Sequence, residues 1–217
     1  MANVTGNILI GGAEFAIGKG TPTVGVEGIV TEIKSASSGD FREWMNSLPR
    51  TGGSALGSTG VTFYDVGFTQ MGVEITYTPD FGEVEVDQLL DAARLFRQKM
   101  SVNVKTTFAE ATLENLVYVW DMKDEYVSTP SGYDELYLVP GELGDVPNER
   151  VVAFAGNAPL VSGAARQRLY CATRAVSMAA STHGVKRNEA TVFPVEFRLL
   201  PDGNSSYSAY GKIVDVV

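Results

Sequence analysis

Residues Met71–Asp91 read MGVEITYTPDFGEVEVDQLLD, and the reading of this stretch decides the fold. Val73, Ile75 and Tyr77 alternate with Glu74, Thr76 and Thr78, the period of a half-buried strand. After a turn at Pro79–Gly82, Glu83, Glu85 and Asp87 alternate with Val84 and Val86. A period of two sets the three carboxylates on one face of a strand and the valines on the other. Between Thr51 and Ala93 there are seven acids and no Lys or Arg, against a net charge of −9 for the whole chain. With no base nearby in sequence, an acidic sheet face is expected.

Composition sets the frame for that face. A chain of 217 residues with 44% hydrophobic content, 23 Gly and 9 Pro fits one turn-rich globular domain. The acidic balance argues against a nucleic-acid-binding surface, which needs a basic patch. The single Cys171 rules out an internal disulfide framework and reads as a small buried hydrophobe. Met1–Asn7 lacks the charged start of a signal peptide, and no apolar run approaches the ~18 residues of a membrane span. The expectation is a soluble protein made in a cytoplasm.

Outward from the acidic stretch, alternation predicts most of the chain to be β. Asn7–Ile10 and Ala13–Ile17 flank Gly11-Gly12 as a hairpin, and Gly28–Ser35 reads as a further strand. Ala36–Gly60 is rich in Gly and Ser and reads as a long loop carrying Phe41, Trp44, Met45 and Leu48 at helical spacing. Val61–Phe68 precedes the acidic strand. Leu89–Met100 has helical spacing, with Arg94, Arg97 and Lys99 near its C-terminal end, and Ser101–Phe108 alternates again. Ala109–Asp121 is the clearest helix: Ala109, Leu113, Leu116, Val117 and Trp120 form one apolar stripe that reads as core packing. Lys123–Arg150 is a turn-rich surface excursion. Val151–Val161, Arg166–Met178, Thr191–Leu200 and Ser208–Val216 complete the strands. Bases concentrate late: Val151–Val217 holds seven bases and four acids, and Arg94–Thr107 four bases and no acid. A subunit with one acidic and one basic face can associate head to tail.

Catalytic patterns are not found in the sequence. His183 is the one histidine, no serine sits in a G-x-S-x-G elbow, and neither zinc nor EF-hand spacing occurs. Gly52–Gly60 lacks the Lys-Ser/Thr of a P-loop. A non-enzymatic protein without cofactor or metal is expected.

Four stretches carry a family resemblance. They are Asp65-Val66-Gly67 with Gly72-Val73-Glu74; Tyr77-Thr78-Pro79 leading to Glu83–Gln88; Thr106–Leu116; and Phe193–Leu200 with Pro201-Asp202 and Ala209–Lys212. In this order and spacing they resemble the major tail protein, the tail tube subunit, of long-tailed, siphophage-type bacteriophages. The resemblance implies a single domain over residues 1–217, mainly β with one flanking α-helix. It would be a β-sandwich or distorted barrel whose inner sheet continues into a hexameric ring barrel. Rings would stack into a hollow virion tail tube, assembled in the host cytoplasm, through which DNA passes without specific binding. Implied partners are further copies of the chain, a tape measure protein in the lumen, and tail terminator and distal tail proteins at the tube ends, with no membrane. Within this reading Glu74, Glu83, Glu85 and Asp87 are candidate lumen-facing acids, or acids at a subunit seam that meet Arg94, Arg97 or Lys99 of a neighbour. Phe41, Trp44, Met45 and Leu48 are candidate inter-ring contacts, and Leu113, Leu116, Val117 and Trp120 form the packing helix. Tube subunits of contractile tails and secretion machines share the pattern, and a β-sandwich binding or decoration module shares the turn-rich acidic strands.

Overall fold

The longest ladder in the chain grows from the acidic stretch, because the run that follows it returns antiparallel as a strand. A computed structural model describes residues 12–50, 53–84, 94–123, 127–128, 134–139, 143–161, 164–178, 181–182, 184–185 and 187–216. Strand β1 is Glu14–Lys19, followed by helices α1 (Val26–Ser37) and α2 (Phe41–Asn46). Strands β2 (Ser54–Ala55), β3 (Thr62–Asp65), β4 (Thr69–Val84) and β5 (Arg94–Phe108) lead to helix α3 (Leu113–Val119). The short pair β6 (Val127–Ser128) and β7 (Glu135–Leu136) stands apart. Strands β8 (Arg150–Val161), β9 (Ala164–Ser177), β10 (Phe193–Leu199) and β11 (Lys212–Val216) finish the chain.

Nine strands form one sheet in the order β2-β3-β1-β8-β9-β10-β5-β4, with β11 also on β9. All of its pairings are antiparallel. One edge of β9 is divided between two partners: Gln167–Cys171 pairs with β11, and Ala175–Ser177 with β10. The end strands β2 and β4 do not pair with each other, so the sheet is open. This corrects the expected mainly β sandwich or distorted barrel: the fold is mixed α/β, built on an open sheet. Two segments also differ in class from their sequence reading. Gly28–Ser35 lies within α1, and Arg94–Met100, expected in a helix, is the first half of β5.

Two cores lie on opposite sides of the central strands. One gathers Phe15, Val104, Phe108, Phe154, Phe193 and Phe197 with Tyr118 of α3. The other packs α1 and α2 against Phe63, Val151, Ala153 and Leu169. Along α1, Val26, Ile29, Val30, Ile33 and Ser37 are buried, a helical stripe. No side chain of its own N-cap residue, Gly25, serves the first turn. Instead Asp202, 3% exposed, accepts from the Val26 N–H at 3.0 Å and the Thr173 hydroxyl at 2.8 Å. An anion there also suits the positive end of the helix dipole. Asp40 starts α2 by accepting from the Glu43 N–H, and Thr112 starts α3 by accepting from the Asn115 N–H. That cap explains why α3 begins at Leu113 rather than Ala109.

Arg174 clips the start of β8 to the loop after β10. It donates to both Glu149 oxygens, at 2.6 and 2.5 Å, and to the Pro201 carbonyl. Those hydrogen bonds hold the Glu149 carboxyl below its ordinary range. The linked stability is therefore present above the unfolded value of about 4.3 and lost as pH falls through the folded one. About a third of each side chain remains exposed, which limits the pair to about 0.2–1 kcal/mol. Glu149→Gln should lower the urea midpoint slightly at pH 7, and the difference from wild type should vanish in strong acid. Phe41→Ala, at a side chain 0% exposed, should cost about 3–5 kcal/mol in the same assay.

Candidate interaction surface

Strands β4 and β5 run together over their whole length, but β10 covers only Val102–Phe108 of β5. The remaining pairs, from Thr78↔Ser101 to Val84↔Arg94, form a two-stranded arm beyond the sheet, about 20 Å long at ~3.4 Å per residue. A register shift at Asp80/Phe81 leaves Gln98 without a counterpart and places Phe81 opposite Arg97, Gly82 opposite Phe96 and Glu83 opposite Leu95. The Arg97 guanidinium lies 6.0 Å over the Phe81 ring. A side chain at Gly82 would meet the Phe96 ring at 2.6 Å, so the arm admits only glycine there without a shift.

The arm exposes large apolar side chains among its charged ones. Phe81 is 51%, Leu95 61% and Phe96 42% exposed, and Val84 and Tyr77 are exposed with them. Alternation along β4 puts Ile75, Tyr77, Phe81 and Glu83 on one face. That face continues into an open apolar groove of about 270 Å³ at the fork of β9. Ile75 and Tyr77, Met100 and Val102, Phe154, and Ile213 line it, with Lys212 beside Ile213. The Tyr210 hydroxyl donates to the Met100 carbonyl at 3.4 Å across the same region.

A polar cluster fixes the opposite end of the β4–β5 ladder, where β4 begins. Gly67, at φ +80°, donates to Asp65 Oδ1 at 2.8 Å, and the Phe68 N–H donates to Glu110 Oε1 at 3.2 Å. Arg50 bridges Glu110 and Asp65. Burial pushes the Asp65 carboxyl above its ordinary value in spite of Gly67 and Arg50. Thr106 adds a hydroxyl bond to the Gly72 carbonyl at 2.9 Å, beside the bulge at the start of β4. There Met71 takes φ +66° and is 96% exposed.

The predicted site residues are dispersed. Glu74 and Glu83 are both exposed, but they lie nine positions apart on one strand and so face opposite ways. Glu85 and Asp87 lie outside the described residues. The acids of β4 do have bases nearby: Lys105 stands opposite Glu74, Lys99 opposite Asp80, and Arg97 diagonal to Glu83. Arg94, Arg97 and Lys99 thus meet the acidic strand within the same chain. Phe41, Met45 and Leu48 are buried in the second core, and half-buried Trp44 stacks edge-on to Phe63 at 5.6 Å. In the packing helix Val117 is buried, while Leu113, Leu116 and Trp120 are half-buried. Sequence reading missed Asn115, which is buried and donates to the carbonyls of Val66 and Glu110. It also missed Asp202 and the Asp65–Arg50–Glu110 cluster, whose partners are distant in sequence.

Among the described residues no group of three or more His, Cys, Asp or Glu is placed to hold a metal ion. His183 lies outside them. Burial pushes the Cys171 thiol up to about 12. No family model matches the chain, and no curated protein matches it.

Replacing Phe81, Leu95 and Phe96 together by Ser should leave the urea midpoint of dilute protein nearly unchanged, because little burial is lost. The same change should reduce binding of an apolar dye such as ANS by severalfold. A large loss of stability would show that the arm packs on its own subunit.

Proposed function

We propose that this chain is a structural subunit that works by assembling with further copies of itself into a tube, as a component of a phage tail or a secretion apparatus. The observation that carries the reading is the arm: an ordered ribbon with large apolar side chains facing water on both strands. Contiguous exposed apolar surface of this kind marks sites of association. The open sheet supports the same reading, since among the described residues β4 pairs along one edge alone, that with β5. The four resembling stretches give the reading its tail-tube form, with stacked rings around a channel for DNA and a tape measure protein. In that form the carboxylates would serve as a non-binding wall against phosphate.

A second reading is a binding or decoration module that grips a larger assembly. The two cores, both packed within one chain, favour it, because the arm is then the element left over. Purified full-length protein should form rings or tubes in negative-stain electron micrographs as its concentration rises, with mass growing in light scattering. Discrete monomers at millimolar concentration would overturn the tube reading and leave the module.

A further inference from the structure

We propose that the N-terminal segment of the chain straps across the chain's own groove, antiparallel to the free edge of β4, with Val4, Ile8 and Ile10 turned inward. Residues 1–11 lie outside the described residues, and the chain enters the fold at Gly12.

Gly12 stands at the mouth of the space that would take this segment. Beside the groove lies a second hollow of about 440 Å³, lined by Gly12, Ala13, Gly72, Val73 and Gly156. Ile75, Phe154 and Tyr170 line both, so the two make one trough. It starts beside Gly12 and follows β4 as far as Tyr77, near Ile213 of β11. Phe154, Tyr170 and Ile213, neighbours across β8, β9 and β11, form its apolar floor. Among the described residues β4 pairs only with β5, which leaves the other edge of β4 open to a further strand.

A hairpin of Asn7–Ile10 back onto β1 finds its acceptors taken. The Ala13 carbonyl accepts from the Thr69 hydroxyl at 3.2 Å, and the Phe15 carbonyl from the Val66 N–H at 3.5 Å. From Ala16 onward β3 holds that edge of β1, and β8 holds the other. The trough is the remaining path. Its length from Gly72 to Tyr77 is about 17 Å at ~3.4 Å per residue, which about five extended residues span. A segment that ends at Gly12 must run from the Tyr77 end toward the Gly72 end, opposite to β4, as antiparallel pairing requires. Its sequence has the matching period of two: Val4, Ile8 and Ile10 share one face, and Asn3, Thr5, Asn7 and Leu9 the other. The tether selects the chain's own segment over that of a second copy, since a short link gives an effective concentration on the order of millimolar. The arm beyond Tyr77 stays uncovered, so the strap is compatible with assembly through the arm and does not depend on it.

The test is hydrogen exchange read by mass spectrometry on the dilute full-length chain. Ile8→Asp and Ile10→Asp should each speed exchange at Val73–Tyr77 roughly tenfold and leave Val151–Ala155 of β8 unchanged. Leu9→Asp, on the outward face, should leave both segments as in wild type. The strap is wrong if Leu9→Asp acts like Ile8→Asp, if neither changes exchange, or if β8 loosens equally. Protection of Val73–Tyr77 that appears only as the protein is concentrated would place a second copy's segment in the trough and overturn the tether. A chain that shows the expected pattern yet forms no rings or tubes would retain the strap and lose the tube reading.

Discussion

Strand β9 has one edge and two claimants for it. Its C-terminal part takes β10, and through β10 come β5, β4 and the arm; its N-terminal part takes β11. A strand of 14 residues is long enough to hold both because β10 reaches only three of its positions. Two ladders leaving one edge diverge as the sheet twists, and the space between them is the groove. The first core fills the closed end of that wedge with Phe15, on which Phe154 and Phe197 stack at 5.7 and 6.1 Å. Toward the open end aromatic packing runs out, and Tyr77 and Ile213 are left at the surface.

How far the sequence foretells this depends on whether a signal is local. The alternation at Val73–Tyr77 and Val102–Phe108 is legible, because each strand has one wet and one dry face. The helix at Leu113–Val119 is legible for the same reason at a different period. Gly28–Ser35 reads as a strand because β-branched Val and Ile at consecutive positions satisfy period two as readily as period 3.6; tertiary packing on Leu169 and Ala153 decides for the helix. Arg94–Met100 was misread in the opposite direction. Its apolar residues fall at helical spacing, yet its backbone continues a strand held by β4.

The interaction surface was legible only in part. Seven acids without a base in sequence mark this stretch, yet where β4 is described, bases of β5 stand opposite or diagonal to its acids. A hairpin places the bases of its second strand against the acids of its first, and sequence separation hides that neighbourhood. The aromatic residues of Phe41–Leu48 drew attention to the wrong place, since a short helix laid on the sheet buries them. Exposed rings at Phe81 and Phe96 are hidden from the sequence, which reads the first in a turn and the second in a helix, whereas both lie in the β4–β5 ladder.

The Asp202 carboxylate carries a consequence for how the chain acquires its shape. The first turn of α1 depends on an acceptor 176 residues away, and β1 depends on β8 across a comparable distance. Closing a loop of that length costs on the order of 5 kcal/mol before any contact within it is rewarded. Contacts so far apart slow folding and make it cooperative. The early helices and the last loop are thus one folding event: a fragment ending before Asp202 has no group to finish α1, however well its own residues favour a helix.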